Sequence, residues 1–378
     1  MNSPIELSFE KSPAAVLAPV CVSINGRFLT QSVTGVQRYA IEFLRALDGL
    51  IGAGEIDAER YTVNIVAPKG ARDPQLEYIG FHRKGRMSGH LWEQLELPWF
   101  ARNAVLVNLC NTAPFSKMNQ VVTIHDAAVR AVPHAYSRAF RTWYELLIPL
   151  VAKMSKRIFT VSEFSKQELQ NWLSIPEQKC IVLKEGKEHI DTVDADDTTI
   201  ARLGLANRPY VLAVSSTSPN KNFGAIVEAI QCLGDVSFDV VIAGGANPRI
   251  FAADGKPLPT FVKHVGYVSD GELKALYKHA SCFVYPSLYE GFGLPPLEAM
   301  ACGCPVIVSH AASLPEVCGD AALYCDPKDP RTIAEQIARL MTDEALRKLL
   351  SERGLERALQ FSWKQCAREM WQFIEKLS

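Results

Sequence analysis

The sequence predicts an α/β protein of two doubly wound, Rossmann-like domains, each a parallel sheet wrapped by helices, facing one another across a cleft. Three observations carry that expectation. Short β-branched runs recur along the chain, segments with apolar residues at i, i+3, i+4 spacing fill most of the gaps, and the alternation lapses once, between Lys184 and Asn207. A length of 378 residues exceeds what one hydrophobic core usually serves, so two domains is the expected count. With 48% hydrophobic and 21% charged residues, disorder, collagen and coiled coil are excluded.

In chain order, the first half places strands at Val20 to Ile24, Tyr61 to Val66, Val105 to Leu109, Val121 to Ile124 and Ile158 to Val161. Helix-period segments lie between or after them, at Gly35 to Leu47, Phe140 to Lys153 and Ser165 to Leu173. The stretch KEGKEHIDTVDADDTTIARLGLAN, from Lys184, is acidic and irregular and reads as a linker. The domains are therefore expected to span residues 1–190 and 191–361. A fresh strand starts at Tyr210 to Val214 and is followed by strands at Val240 to Ala243, Val262 to Val265, Phe283 to Tyr285 and Val306 to Val308. Helices are expected at Phe223 to Cys232, Asp270 to His279 and Pro330 to Leu340, and a last helix within 362–378 is expected to cross back to the first domain.

Charge and composition narrow the function. Forty Lys+Arg against 41 Asp+Glu give a net charge of −1, so no nucleic-acid partner is expected. Residues 82–166 are locally basic, 12 Lys/Arg against 5 acids. The N-terminal MNSPIELSFEKSPAAVLAPV carries early acids and is broken by Pro13 and Pro19, unlike a signal peptide, and no charge-free stretch reaches the ~20 apolar residues of a spanning helix, so a cytoplasmic location is expected. Ten scattered cysteines, with no C-x-x-C, are expected to be buried thiols in a reducing compartment, Cys302 and Cys304 among them, and no metal is expected. Neither Gly-x-Gly-x-x-Gly nor a Walker Gly-Lys-Ser/Thr is present, so dehydrogenase and P-loop readings start weak. Asp194-Ala195-Asp196 mimics a metal-binding Asp-x-Asp but lies in the linker and reads as solvated charge.

The most informative segment starts at Tyr285 and reads YPSLYEGFGLPPLEAMACGCPV. A strand ends at Tyr285, a glycine-bearing turn follows, and a helix begins near Pro295, where a missing N–H costs nothing. The exposed N–H groups of a helix start receive an anion or several hydroxyls. Glu290 in the loop and Glu298 a turn inside the helix can then address different parts of one extended ligand.

Glu290 and Glu298, set in PSLYEGFGLPPLEAMACGCPVIVS and continued by LPEVCGDAALYCDP, resemble the donor-site signature of the retaining GT-B glycosyltransferases of family 4. Upstream, VGYVSDGELKALYKHASCFVYPS, TGVQRYAIEFLRAL, TIHDAAV and FTVSEFSKQEL fall in that family's order, so the resemblance covers nearly the whole chain. It implies a GT-B fold and a metal-independent transferase taking a nucleotide-sugar as substrate, with no cofactor. By that resemblance Glu298 holds the ribose, while Glu290 and the backbone of Gly291, Phe292, Gly293 and Leu294 hold the transferred sugar. Lys221 matches the lysine that grips the diphosphate; the accompanying arginine is missing, with Ser216 or Asn220 in its place and Arg38 or Arg249 as stand-ins from elsewhere. Gly35 would let the backbone approach the diphosphate, and Tyr267 and Val268 would lie along the base.

His125, at the carboxyl end of a strand, is expected near the transferred sugar, with Asp126, Arg38 and Ser162 toward the acceptor. Catalysis would then rest on His125, Glu290 and Lys221. Within the family, GVQRYA, the His-Asp segment and VSEFSKQEL look most like bacterial mannosyltransferases that use GDP-mannose in polysaccharide or lipopolysaccharide assembly. That implies a glycan or polyprenyl-diphosphate-linked acceptor. The basic region with Trp143, Leu146, Leu147, Leu150 and Val151 would suit peripheral contact with the inner membrane, or else pack into the core. Two alternatives stand: the same fold using a UDP-sugar, and a nucleotide-sugar-binding subunit without turnover.

Overall fold

The computed structural model describes residues 19–214, 218–244 and 261–377. Residues 1–18, Ser216 and Arg249 lie outside the described residues.

The first sheet holds β1 (Val20–Asn25), β2 (Tyr61–Ala67), β3 (Gly80–Arg83), β4 (Val105–Asn108), β5 (Gln120–Thr123), β6 (Arg157–Thr160) and β7 (Cys180–Val182) in the order β3-β2-β1-β4-β5-β6-β7. The second holds β8 (Tyr210–Val214), β9 (Asp239–Ala243), β10 (Val262–Gly266), β11 (Cys282–Tyr285), β12 (Val306–Ser309) and β13 (Ala322–Cys325), ordered β10-β9-β8-β11-β12-β13. The strand pairs in both are parallel. Two doubly wound sheets are the architecture the sequence predicts. Strand order reverses between β1 and β4 and between β8 and β11, and at such a switch point the loops beyond the strand ends part to make a ligand crevice.

Three strands escape the β-branched pattern. β3 and β7 sit at opposite edges of the first sheet and β13 at the edge of the second, where Gly-Phe-His-Arg, three residues, and Ala-Leu-Tyr-Cys suffice because only one neighbour must be satisfied. Buried side chains of both halves join in one apolar cluster that also takes in Trp363, Cys366, Met370 and Trp371 of the last helix, Trp363–Glu375. That helix lies on the helix Gly35–Gly52, with the Tyr39 and Trp363 rings 5.5 Å apart and Trp371 5.1 Å from Tyr61.

The linker is more ordered than its charge implies. It contains the helices Glu188–Asp191 and Thr198–Arg202, and Glu185 and His189 are buried, while Asp194 and Asp196 are exposed. Glu188 accepts from Ser362 Oγ and from the Trp363 backbone N–H at 2.9 Å, capping the last helix from the linker. A Cβ on Gly186 would stand 2.0 Å from the Trp363 nitrogen, so only glycine lets the two chain passes meet here.

On the helix Arg138–Met154, Leu147 and Val151 are buried in the core whereas Trp143, Leu146 and Leu150 are exposed, so the apolar stripe splits in two. Exposed Leu91, Leu95 and Trp99 form a second row on residues 89–100, and the His90 ring sits 5.5 Å from Trp143 between the rows. Among the described residues no helix is long and apolar enough to cross a membrane.

Candidate active site

The two sheets' loops meet where Glu290, Gly291 and Lys221 of the second domain come against His125, Asp126 and Ser162 of the first. On the second domain, the helix Leu294–Ala301 starts with Gly293 at φ 120°, a backbone region that β-carbon-bearing residues rarely enter, and carries Pro295 in its first turn. Glu290, on the turn before it, is tightly bound. Lys221 Nζ lies 2.7 and 2.9 Å from its two carboxylate oxygens and 2.8 Å from the Tyr285 hydroxyl, which itself donates to Glu290 at 2.9 Å; Ser287 Oγ donates at 2.5 Å. The lysine expected at the diphosphate and the acid expected at the sugar thus form one polar cluster.

The turn's carbonyls are engaged. Ser162 and Ser165 donate to the Gly291 oxygen at 2.6 and 3.0 Å, and Ser313 donates to the Glu290 and Phe292 oxygens at 3.0 and 2.5 Å. What remains for a ligand is the N–H side of the helix start, the side that attracts anions. The Phe292 side chain packs on Phe361, and Leu294 is buried. Ser162, considered for the acceptor, is fully buried: it N-caps the helix Glu163–Leu173 and clasps Gly291 of the other domain.

Glu298 is also bound on both oxygens. His189 Nε2 is 2.9 Å from Oε1, and the Tyr277 hydroxyl donates to Oε2 at 3.2 Å. Trp363 Nε1–H donates to His189 Nδ1 at 3.1 Å; since indole nitrogen only donates, Nδ1 is bare and the imidazole proton sits on Nε2, aimed at Glu298. A chain of side chains from the last helix through the linker therefore orients the carboxylate expected at the ribose.

On the first domain, His125 is 4% exposed. Its Nε2 is 2.9 Å from the Leu109 carbonyl, Tyr39 meets the ring edge-on at 4.6 Å, and burial pulls its pKa down to about 4, so it is a neutral imidazole. Asp126 Oδ1 accepts from the Ala128 N–H at 2.8 Å, and burial raises its pKa. Gly291 touches this pair: a Cβ there would be 2.9 Å from the His125 oxygen and 3.1 Å from the Asp126 Cβ. Gly35, by contrast, begins its helix in open space, with nothing within 4 Å of an added Cβ.

Arg38, proposed to face the acceptor or replace the missing arginine, is instead paired with Asp270 of the second domain, at 2.8 and 2.6 Å. Asp270 starts the helix Asp270–His279, just past Gly266, Tyr267 and Val268; Tyr267 is 82% exposed. The Glu163 N–H donates to Glu316 at 2.8 Å and the Ala127 N–H to the Tyr289 hydroxyl at 3.2 Å, adding further bonds across the cleft. Asn220 is taken up by the Tyr289 carbonyl. Among the described residues no group of three or more His, Cys, Asp or Glu side chains is arranged to hold a metal ion.

Several site residues carried no sequence signal. His189 was hidden in a charge-rich linker, and Tyr277, Tyr285 and Trp363 look like ordinary core aromatics, yet the two hydroxyls meet Glu298 and Glu290 and the indole N–H meets His189.

Similarity to known proteins agrees with this geometry. Residues 196–357 match the family described as glycosyl transferases group 1. The O-antigen chain mannosyltransferase B of Escherichia coli is 33% identical over 256 residues, 65% of this chain and 67% of the relative. The O-antigen chain mannosyltransferase RfbU of Salmonella typhimurium is 26% identical over 325 residues, 82% of this chain and 88% of the relative. Among solved structures, the sucrose-phosphate synthase of Thermosynechococcus elongatus superposes with a TM-score of 0.71 at 20% identity, covering 95% of this chain and 99% of that one. Anabaena HepE in complex with UDP-glucose gives 0.71 at 14% identity, covering 94% and 99%. With its two facing parallel sheets and this kinship, the chain belongs to the group 1 glycosyl transferases and is a glycosyltransferase of the GT-B fold.

Proposed function

We propose that the protein transfers mannose from GDP-mannose, with retention, to a glycan or polyprenyl-diphosphate-linked acceptor in bacterial surface polysaccharide assembly. The observation that carries the chemistry is Lys221 beside Glu290 at the start of the helix Leu294–Ala301, with His125 and Asp126 against Gly291 from the other domain. A nucleoside diphosphate departs with two negative charges; Lys221 and the helix-start N–H groups stabilise them, and no divalent ion enters this reading. The bond from the anomeric carbon to the phosphate oxygen breaks, the acceptor hydroxyl attacks from the same face, and its proton passes to the departing phosphate. Glu290 and the neutral His125 hold the sugar, while Glu298, oriented by His189 and Tyr277, accepts from the ribose hydroxyls. The names of the Escherichia coli and Salmonella relatives support mannose and polysaccharide.

The two exposed apolar rows, Leu91, Leu95 and Trp99 with Trp143, Leu146 and Leu150, lie within the basic region and support peripheral docking on an anionic membrane face, where a lipid-linked acceptor is presented.

The test is incubation of purified protein with GDP-mannose, UDP-glucose, UDP-N-acetylglucosamine and UDP-galactose, following thermal stabilisation and slow nucleotide release. Selective stabilisation by GDP-mannose is expected. A UDP preference overturns the donor assignment and leaves the site standing; stabilisation without any turnover on lipid-linked glycans favours a binding subunit.

A further inference from the structure

Glu185 follows β7, in the linker, and is 5% exposed. Its carboxyl turns toward the end of β5, with Oε1 3.9 Å from His125 Nδ1. The partner of His125 Nε2 is a carbonyl oxygen, which can only accept; Nε2 therefore carries the imidazole proton and Nδ1 turns a lone pair toward Glu185. The packing of Gly186 against Trp363 fixes the backbone from which Glu185 projects.

The ionisable groups around this carboxyl come from five elements. His125 stands beyond the end of β5, Tyr39 on the helix Gly35–Gly52, Cys366 on the last helix, Glu290 on the turn after β11 and Glu298 on the helix Leu294–Ala301. Lys221 lies beyond, bonded to Glu290, and Asp126 stands against the neighbouring Gly291. The cation Lys221 is already paired with Glu290. Burial first, and then the charges of Glu298 and Glu290, push Glu185 up to about 8, so it is an uncharged acid at neutral pH beside an uncharged imidazole.

We propose that Glu185 and His125 form a recognition pair for one hydroxyl of the transferred sugar, the acid donating to its oxygen and Nδ1 accepting its proton. At 3.9 Å the two atoms are too far apart to bond each other, and a hydroxyl resting against both completes the pair. The uncharged state is what allows it. A third ionised carboxylate beside Glu290 and Glu298 would lose the donor and repel the incoming diphosphate. This inference rests on the donor-site reading above, in which the sugar lies between Glu290 and His125.

The experiment compares Glu185→Gln, Glu185→Ala and Glu290→Ala, with the donor the nucleotide-sugar panel selects, measuring kcat and KM from pH 6.5 to 9.5 after confirming folding by circular dichroism. For the unaltered protein, kcat/KM for donor falls above about pH 8. Glu185→Ala loses at least tenfold at pH 7; Glu185→Gln, whose amide still donates, recovers most of that loss and abolishes the alkaline fall. With a series of monodeoxy donors, one deoxy position removes the difference between Glu185→Ala and the unaltered protein. Full activity of Glu185→Ala, or an alkaline fall that persists in Glu185→Gln, overturns the proposal. Where Glu185→Ala does not fold, the pH profile of Glu185→Gln decides alone. If Glu290→Ala is also fully active, the donor-site reading itself fails; if only the Glu185 variants are, that reading stands and this inference falls.

Discussion

Lys221→Ala separates the two jobs assigned to the lysine. Its side chain is 21% exposed and that of Glu290 11%, so the pair lies largely out of water. Removing one member of a buried pair costs about 3–5 kcal/mol, because the other charge is left uncompensated. Here Tyr285 and Ser287 still donate to Glu290, and the remaining exposure screens it, which brings the expected loss to about 2 kcal/mol. At roughly 2–4 °C per kcal/mol, Tm should fall by about 4–8 °C. Adding Glu290→Gln removes the stranded charge, and the double variant should recover to within about 1 kcal/mol of the unaltered protein. Activity should behave differently: with leaving-group stabilisation gone, kcat for sugar transfer falls by about 10²–10³ in the single variant and does not recover in the double. Calorimetry and a nucleotide-release assay on the same preparations read both. A single variant within threefold of the original kcat would refute the leaving-group role; a double variant no more stable than the single would refute the stranded-charge argument.

Gly291→Ala should leave each domain folded but hold the domains apart, since its Cβ would press on the backbone of His125; small-angle scattering should show a larger radius of gyration and kcat should drop at least tenfold. Trp363→Phe removes the N–H that fixes the His189 tautomer; long-range ¹H–¹⁵N spectra should show a single Nε2–H form in the unaltered protein and a tautomer mixture in the variant, with donor KM raised several-fold. Glu185 has a raised folded pKa, so the native state keeps a proton the unfolded chain has lost, and stability falls as pH rises from about 4.5 to about 8. The Tm advantage of Glu185→Gln should therefore widen across that window, by up to roughly 1.4 kcal/mol per pH unit, and a pH-independent gap would contradict the assignment. Arg38→Ala breaks a pair that is 21% and 41% exposed, so melts should shift by only about 0.5–1 kcal/mol while the cleft opens in scattering; a shift above 3 kcal/mol would show that the pair carries far more than a surface ion pair does.

Much of the molecule is legible in its local sequence. The fully buried strands announce themselves because both faces of a parallel strand must be apolar, and Val121–Val122 or Val240–Ile242 leave little else to read. The glycine turn and helix start around Glu290 were legible for a local reason too: the φ of Gly293 and the proline in the first turn are properties of neighbouring residues. Edge strands β3, β7 and β13 were not, since one neighbour and a short span demand little of their composition.

Long-range packing settles which polar groups meet. Lys221 and Glu290 are 69 residues apart, His189 and Glu298 109, and Arg38 and Asp270 232. Nothing in a linear pattern distinguishes an acid in a solvated linker from Glu185, buried beside His125, because both sit among charged neighbours in sequence. Desolvation and the nearness of other carboxylates make the difference, and both arise only when two domains close on the same space. The residue types and the fold class were thus written locally, in side-chain volume and backbone preference. The protonation states and the partners of each carboxylate were set by long-range packing.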